Sequence, residues 1–513
     1  MISIYKWKMG EVNTVIKSIS NVSVSILIVL GALLVSSCDQ PIEQEASPEV
    51  GNVAPPNIIY ILADDLGYAE LESYGQEKIM TPSLDQMASE GMSFTQHYAG
   101  STVCAPSRSV LMTGQDTGRT YVRGNMRSGE GVGSGQTNIK ADTRTLGAML
   151  QEQGYKTAVI GKWGLGSLGE TGHPNKMGFD HFFGYLDQRA AHNYYPEYIW
   201  RNTDKIDLNN PPMPRPSTLK GDKNDINSYA EFKGSEYTGD LAANEVKDFI
   251  RNHKDEPFFV FYALTVPHAA LQVPDEELVQ YEGKFEEEPY LVTRGYYPHI
   301  RPRSAHAAQV TRMDRRIGEI MALLKENNLD ENTIVIFTSD NGPAIEGGMD
   351  QEFFNGNGIY RGVKRDLYEG GIRVPMSARW PGKIKENSKS DHISAFWDVM
   401  ATFADISSGT VSDTSQGISF LPELVGEGEQ GEHESLYWEF HEGAGKQAVR
   451  LGKWKGVRLN VRENPDGPIE LYDLESDPSE TTDISSDHPD VLTDINNIMA
   501  SRVRSEIEAW NFD

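Results

Sequence analysis

The segment Cys104–Arg108, with the sequence CAPSR, contains the residue types that most directly indicate chemistry. The 513-residue chain has only two cysteines, and Cys104 lies in a polar, turn-prone run rather than among apolar residues. Pro106 is typical of the first turn of a helix, and Leu111 and Met112 supply an apolar side. The pattern predicts a helix that begins at Cys104, where the helix dipole and free N–H groups favour anions and activate a thiol.

Two pairs of oxygen-bearing side chains each follow an apolar, β-branched run. The pairs are Asp64 with Asp65 and Asp340 with Asn341. Ligand sites of open α/β sheets lie at the carboxyl ends of the strands. Hard oxygen ligands suit Ca²⁺ or Mg²⁺ better than zinc. Adjacent acidic residues are also common in turns, but two pairs after two strands favour a divalent-metal site.

The elements that must position these residues alternate between strand and helix, which predicts an α/β domain with a mainly parallel sheet. The predicted core strands cover residues 57–63, 157–161, 258–264 and 332–338. Predicted helices cover 145–152 and 305–327, and another opens with Thr81 as N-cap and Pro82 at its first position. After a Gly- and Glu-rich break near 426–434, short strands are predicted at 435–440, 447–450, 454–459 and 470–474. A final amphipathic helix is predicted over roughly 489–509.

The first 37 residues have the features of a lipoprotein signal peptide. They are basic at the start, and the apolar run of residues 22–35 is too short for an ordinary membrane-spanning helix. The run ends in VSSC, which resembles a bacterial lipobox, so we expect lipidation of Cys38; a plain signal peptide is the alternative. Residues 38–55 read as a flexible tether. We therefore expect an exported protein, lipid-anchored to a bacterial membrane and facing the periplasm or the cell surface.

The acidic balance of the chain bears on its partners. The formal net charge is −28 at pH 7, which argues against binding of nucleic acid or of an anionic membrane surface. Contact with a membrane is therefore expected through the lipid anchor only.

Residues 104–114 match C-x-P-S-R-x-x-L-x-T-G, the signature of the type I sulfatases. Five further blocks resemble those of the family in the same order, and the similarity runs from about residue 55 to the C-terminus. These blocks are residues 56–67, 161–166, 263–268, 337–342 and 361–375. The resemblance implies an alkaline-phosphatase-like fold. A mixed, mainly parallel sheet between helices would form a catalytic domain over 56–428, and a smaller antiparallel sheet plus helix would follow over 429–513.

The resemblance also implies the activity, a sulfuric ester hydrolase in which a maturation enzyme oxidises Cys104 to formylglycine (3-oxoalanine). Arg108 would hold the formylglycine hydrate, Lys162 and Lys364 would bind the sulfate oxygens, and His268 would protonate the leaving alcohol. One Ca²⁺ per chain, with Mg²⁺ as the alternative, would be held by Asp64, Asp65, Asp340, Asn341 and the modified Cys104.

One position departs from the family, because Gly164 stands where the family has a histidine that helps release sulfate from the enzyme. His173 and His192 are candidates for that role. His192 lies in the aromatic and amide-rich stretch 187–196, which reads as a sugar-binding loop or as a loop that packs its tyrosines against the core. Arg189, His192, His441 and Lys446 are the predicted substrate-binding residues, with Glu442 beside them.

The anchor, the tether and the aromatic stretch favour a sulfated polysaccharide or its oligosaccharides as substrate, of the ulvan, carrageenan or glycosaminoglycan type. A phosphonate or phosphodiester hydrolase of the same superfamily is the second hypothesis. A non-catalytic glycan-binding lipoprotein is the third; Gly164 favours it, and the intact Cys104 motif, lysines and acidic pairs count against it.

Overall fold

One large sheet dominates the computed structural model, which describes residues 55–125, 136–214, 219–292 and 295–512. Its eleven strands are β1 (Asn57–Asp64), β2 (Met92–Tyr98), β3 (Lys156–Lys162), β4 (His181–Tyr185), β5 (Tyr198–Arg201), β6 (Asp204–Asp207), β7 (Phe258–Pro267), β8 (Thr333–Ser339), β9 (Arg373–Arg379), β10 (Ser388–Ser390) and β11 (Ser394–Ala395). The order is β10-β2-β9-β8-β1-β7-β3-β4-β5-β6, and β11 also pairs with β2. The predicted signal segment and tether, with Cys38, lie outside the described residues. Within these residues, no helix is both long and apolar enough to cross a membrane.

The centre of this sheet is parallel. Strands β8, β1, β7, β3 and β4 all run in the same direction, and every residue of β1, β7 and β8 is buried. Such strands read as continuous apolar runs because helices cover both faces of the sheet. The four predicted core strands are confirmed, and their carboxyl ends meet at one edge.

Helices pack on both faces of the sheet. They are α1 (Pro82–Ser89), α2 (Cys104–Thr113), α3 (Leu146–Glu152), α4 (Thr238–Asn252), α5 (Asp275–Leu278), α6 (Pro302–Glu326), α7 (Gln351–Phe354), α8 (Glu369–Ile372), α9 (Asp398–Ser407) and α10 (Leu421–Val425). Alternate residues of β1 point into two separate cores. Tyr60 shares one with residues of α2, α3 and α9, and Ile59 shares the other with residues of α1, α4 and α6. The predicted mixed, mainly parallel sheet between helices is confirmed.

A smaller antiparallel sheet follows, with strands β12 (Leu436–Phe440), β13 (Lys446–Leu451), β14 (Trp454–Leu459) and β15 (Ile469–Asp473) in that order. The last helix, α11 (Pro489–Ala500), packs on it. The prediction that this helix runs to about residue 509 is wrong. Beyond Ala500 the Val503 N–H donates to the Gly118 carbonyl, and the Trp510 ring is fully buried. The chain leaves the helix to make these contacts.

The predicted start of α1, with Pro82 at its first position, is confirmed. Thr81 does occupy the N-cap position of α1, but its side chain makes no cap hydrogen bond and donates to Asp85 instead. The free N–H groups of Ser83 and Leu84 donate to the carboxylate of Asp314 on α6. A tertiary contact, invisible in the local sequence, satisfies the start of this helix.

Gly161 allows β3 and β7 to pair closely beside the carboxyl-end edge. Its φ is +116°, and a Cβ built on it would lie 1.8 Å from the Ala263 carbonyl oxygen. We expect Gly161→Ala to lower the free energy of unfolding by about 3 kcal/mol, since backbone strain and a clash with a strand act together.

Gly154→Ala is the matched control, because Gly154 also has a positive φ, +85°, but no atom lies within 4 Å of its built Cβ. Gly154→Ala should lower the free energy of unfolding by about 1 kcal/mol. Urea denaturation of both variants measures the difference, and equal losses would contradict the close pairing.

Candidate active site

Three carboxylates and one amide converge at the edge where the central strands end. Asp64 ends β1, and Asp340 follows β8 directly. The Asp340 N–H donates to the Ala63 carbonyl, and the Asp65 N–H donates to Asp340 Oδ1 at 3.2 Å. Asn341 Nδ2 donates to Asp65 Oδ1 at 2.7 Å. The parallel register of the strands therefore brings together the two acidic pairs that the sequence separates by about 275 residues.

Helix α2 presents Cys104 to this cluster. The helix begins at Cys104, as predicted, and the Sγ atom lies 3.3 Å from Asp64 Oδ1. The expectation that the helix start activates the thiol is wrong. Burial, together with the Asp64 carboxylate, raises the pKa of the Cys104 thiol well above its ordinary value.

Arg108, one turn along α2, joins the cluster to the next strand. Its Nη2 atom lies 2.8 Å from Asp340 Oδ2, and its Nη1 atom donates to the Lys162 carbonyl at 2.7 Å. Lys162, at the end of β3, places its Nζ atom 2.7 Å from Asp64 Oδ2. All four side chains are fully buried, so each charge depends on its partner for compensation.

Lys364 reaches the cluster from another segment, the loop that precedes α8. Its Nζ atom donates to both oxygens of Asp65 at 2.7 Å and lies 3.7 Å from Cys104 Sγ. Lys162 and Lys364 thus bring positive charge to the cluster around Cys104 from two segments of the chain. Such a pair can hold a bound anion and oppose negative charge that develops during its reaction.

Burial and nearby charges shift the pKa values of two carboxyl groups of the cluster in opposite directions. Burial acts to raise the pKa of Asp64, but the charge of Lys162, with smaller contributions from neighbouring cations, outweighs it and lowers that pKa. Burial and the Asp64 carboxylate raise the pKa of Asp340 to about 7. Carboxylates held this close favour a cation among them.

His268 and His192 form a stacked pair at the rim of the cluster. His268 follows β7, and its Nε2 atom lies 3.5 Å from Asp65 Oδ2. Its Nδ1 atom lies 2.5 Å from the Ala269 carbonyl oxygen, which can only accept, so Nδ1 carries a proton. The His192 ring stacks on the His268 ring at 4.3 Å between centroids, and Tyr296 contacts both rings. The structure therefore brings His192, one of the two candidates for the missing histidine, to the site.

At Gly164 the side chain of Gln188 occupies the space that a larger residue would need. Gly164 has φ +78°, and a Cβ built there would lie 2.7 Å from Gln188 Cγ. Gln188 Nε2 donates to Asn125 Oδ1 at 3.3 Å, and the same oxygen accepts the Ala105 N–H at 2.9 Å. Gln188 and Asn125 are residues that sequence reasoning did not single out. The amide-rich stretch 187–196 pointed to the segment containing Gln188, and no local signal marks Asn125.

Three other residues that the sequence analysis singled out have partners outside the cluster; they are His173, His441 and Lys446. His173 accepts the Asn175 N–H and packs against Phe182. The structure places His441 in a buried pair with Glu439, 2.8 Å away, and stacks its ring on Phe512.

Lys446 Nζ donates to the Arg365 carbonyl at 2.8 Å and to the Asp366 carboxylate at 2.7 Å. It therefore contacts the residues that follow Lys364. Arg189 is exposed on the 187–196 stretch. The substrate-binding roles of Arg189, His192, His441 and Lys446 stay predictions.

The residues present fit a divalent cation. One donor atom from each of Asp64, Asp65, Cys104 and His268 lies within 4.8 Å of the others. Asn341 Oδ1 is buried and has no hydrogen-bond partner, which is unusual for an amide oxygen unless a ligand satisfies it. Oxygen donors predominate once Asp340 and Asn341 are included, and this set suits a hard cation.

The comparisons with known proteins agree with this geometry. The family model "Sulfatase" matches residues 56–409, and "N-sulphoglucosamine sulphohydrolase, C-terminal" matches residues 358–508. An N-acetylgalactosamine-6-O-sulfatase of Bacteroides thetaiotaomicron is 31% identical over 94% of this chain and 99% of the relative.

Two solved structures share the fold over 87% of this chain. Ps i-CgsB in complex with k-i-k-neocarrahexaose has a TM-score of 0.71 and 27% identity, with 92% of it covered. The second structure is a B. thetaiotaomicron protein, BT33336S-sulf, which is linked to the metabolism of multiple glycosaminoglycans. It has a TM-score of 0.70 and 29% identity, with 99% of it covered.

The mixed, mainly parallel sheet between helices and the smaller antiparallel sheet place the chain in the alkaline-phosphatase-like fold class. Within that class the chain belongs to the type I sulfatase family and is a sulfuric ester hydrolase.

Binding of a divalent cation should stabilise the native protein, because the acidic cluster is assembled only on folding. After chelation and dialysis, Ca²⁺ at 100 times its dissociation constant should raise the free energy of unfolding by about 2.7 kcal/mol, as measured by urea denaturation. The increment should be lost in Asp340→Asn.

Asp405→Asn, at an exposed position of α9, is the control and should keep the increment. An equal response of all three proteins would show that Ca²⁺ acts somewhere other than this cluster.

Proposed function

We propose that this enzyme hydrolyses sulfate esters of a carbohydrate, and that 6-sulfated N-acetylgalactosamine in glycosaminoglycan oligosaccharides is its substrate. The observation that carries the class of reaction is the pair of buried lysines in the cluster around Cys104, one bound to Asp64 and the other 3.7 Å from the Cys104 Sγ atom. The choice of sugar is supported by the Bacteroides relative, which matches almost end to end.

The nucleophile follows from the chemistry of Cys104. Burial disfavours the thiolate form of Cys104, whereas oxidation by a maturation enzyme would convert the residue to formylglycine. Its hydrate carries two hydroxyls on one carbon. One attacks the sulfur atom as the ester oxygen leaves, and loss of the proton from the other regenerates the aldehyde and releases sulfate.

Basic side chains surround this position in complementary roles. Lys162 and Lys364 hold the sulfate oxygens, since both Nζ atoms face the cluster around Cys104. Arg108 fixes Asp340 and the end of β3. We propose Ca²⁺ as the metal, held by Asp64, Asp65, Asp340, Asn341 and the modified Cys104. When bound, it supplies positive charge that favours ionisation of the attacking hydroxyl.

The two stacked histidines divide the proton transfers. His268 is assigned the donation of a proton to the leaving alcohol. Burial and Lys364 lower its pKa, and a bound sulfate ester offsets the lysine charge, so that substrate itself favours the protonated form. His192 is assigned the second transfer, in place of the histidine missing at 164, because its ring lies against His268.

We also propose export of the protein and lipidation of Cys38, which would hold it on a bacterial membrane facing the periplasm or the cell surface. The support is the sequence of the segment that ends at Cys38. A tethered enzyme would act where large glycans are degraded.

Sulfate release tests the proposed activity. The purified enzyme should release sulfate from a chondroitin 6-sulfate tetrasaccharide faster than from an ι-carrageenan oligosaccharide, and Cys104→Ala should release none. Faster turnover of an aryl phosphate diester would favour the phosphodiesterase hypothesis instead. Peptide mass spectrometry of the same preparation should find formylglycine at 104 and acylated cysteine at 38; unmodified Cys104 in fully active enzyme would overturn the mechanism.

The assignment of His192 is tested by comparing two substitutions. His192→Ala should lower kcat by about 10²-fold, in the range of a lost general acid–base group, and a covalent sulfo-enzyme should accumulate in mass spectra. His173→Ala should keep kcat within about threefold, because His173 packs against Phe182. Equal kcat values for the two variants, with unchanged thermal stability, would remove His192 from the mechanism.

A further inference from the structure

A cavity of about 600 Å³ lies beside the catalytic centre and is not used by the chemistry above. Its volume falls in the range of about 300–1,000 Å³ that is typical of ligand sites. Four aromatic residues contribute to its lining, Tyr185, Tyr198, Trp200 and Tyr297. The charged residues that line it are Glu170, Asp187, Arg189 and Glu197.

The cavity is one strand away from the sulfate-binding lysine. Lys162, at the end of β3, is the register partner of Tyr185 at the end of β4, and Tyr185 lines the cavity. Neighbouring strands lie about 4.8 Å apart.

Two short segments are shared between the cavity and the catalytic centre. In the turn Ala190–His192, His192 stacks on His268 while Ala190 lines the cavity. Tyr296 and Tyr297 are neighbours in the chain. Tyr296 contacts the His268 ring, and Tyr297 lines the cavity. A molecule bound at the centre could therefore extend into this cavity over a short distance.

The lining has the features of a site for a sugar ring. Tyr198 is 41% exposed, and its ring meets Trp200 edge-on at 5.7 Å. Lys205 Nζ lies over one face of the Tyr198 ring, 4.5 Å from its centroid, so a sugar would pack on the other face. Aromatic faces of this kind pack against the C–H face of a sugar, and surrounding polar groups bind its hydroxyls.

Arg189 indicates what the sugar carries. Its guanidinium is exposed, and the residues that the structure describes offer it neither a hydrogen bond nor an ion pair. Every other charged residue of the lining is acidic. An arginine in such surroundings favours one fixed anionic group, since its planar fork matches a carboxylate. The carboxylates around it disfavour a ligand with several negative charges.

We propose that this cavity binds the sugar next to the sulfated one, and that this neighbour is a uronic acid whose carboxylate pairs with Arg189 while its ring packs on Tyr198. The proposal rests on the carbohydrate sulfatase function and adds a second sugar site, so that the enzyme acts better on an oligosaccharide than on a single sulfated sugar.

Two substitutions test the site without touching the catalytic residues. Tyr198→Ala and Arg189→Gln should each lower kcat/KM for a chondroitin 6-sulfate tetrasaccharide about tenfold, which corresponds to about 1.4 kcal/mol. Tyr198→Ala should not change kcat/KM for N-acetylgalactosamine 6-sulfate, a single sugar that cannot reach the cavity. For a carboxyl-reduced tetrasaccharide, Arg189→Gln should make no difference. Arg251→Gln, an exposed arginine on α4, is the matched control and should leave all three rates unchanged.

Unchanged kcat/KM for the tetrasaccharide in both variants would overturn the proposal, as would an equal loss on the tetrasaccharide and the single sugar in Tyr198→Ala. Failure of the proposed function is a different outcome, in which the unsubstituted enzyme releases sulfate from neither substrate. Calorimetric binding of the tetrasaccharide to Cys104→Ala protein then decides the question without turnover. Weakening of that binding about tenfold by Tyr198→Ala supports the site, and unaltered binding refutes it.

Discussion

The mutual compensation of three buried carboxylates and three buried cations is the interaction on which the rest of this structure depends. Asp64, Asp65 and Asp340 stand at the ends of central strands, and Arg108, Lys162 and Lys364 reach them from three other segments. Removing one member would leave a charge buried without a partner, which is costly. The parallel sheet is thus constrained by electrostatics as much as by apolar packing, because its register sets which charges meet.

The sequence predicted the parts of the fold that are local or repetitive. The apolar run that became β1 could be read directly, as could the helix start at Cys104, because each is encoded within about ten residues. The end of α11 could not be read, since Val503 and Trp510 leave the helix for partners near residues 118–124. The start of α1 was predicted at the right residue, but the acceptor for its N–H groups was not, because Asp314 lies some 230 residues away.

In the active site, the motifs identified the charged residues but not the amide side chains of Gln188 and Asn125 that lie beside them. Gly164 was visible as a departure from the family pattern. That Gln188 occupies the adjoining space required the folded backbone, because Gln188 reaches it from the loop after β4. The hydrogen bonds from Gln188 and Ala105 to Asn125 likewise join three segments that have no common sequence pattern. Motifs record chemistry that needs a particular residue type, whereas space-filling amides are set by geometry.

Lys446 connects the small C-terminal sheet to the loop that carries Lys364. Lys446 opens β13, and its ammonium group holds the Arg365 carbonyl and the Asp366 carboxylate. The position of Lys364 relative to Cys104 is therefore supported from the C-terminal sheet. Substitutions in that sheet can therefore shift Lys364 and change the reaction rate, although every residue at the reaction centre stays the same.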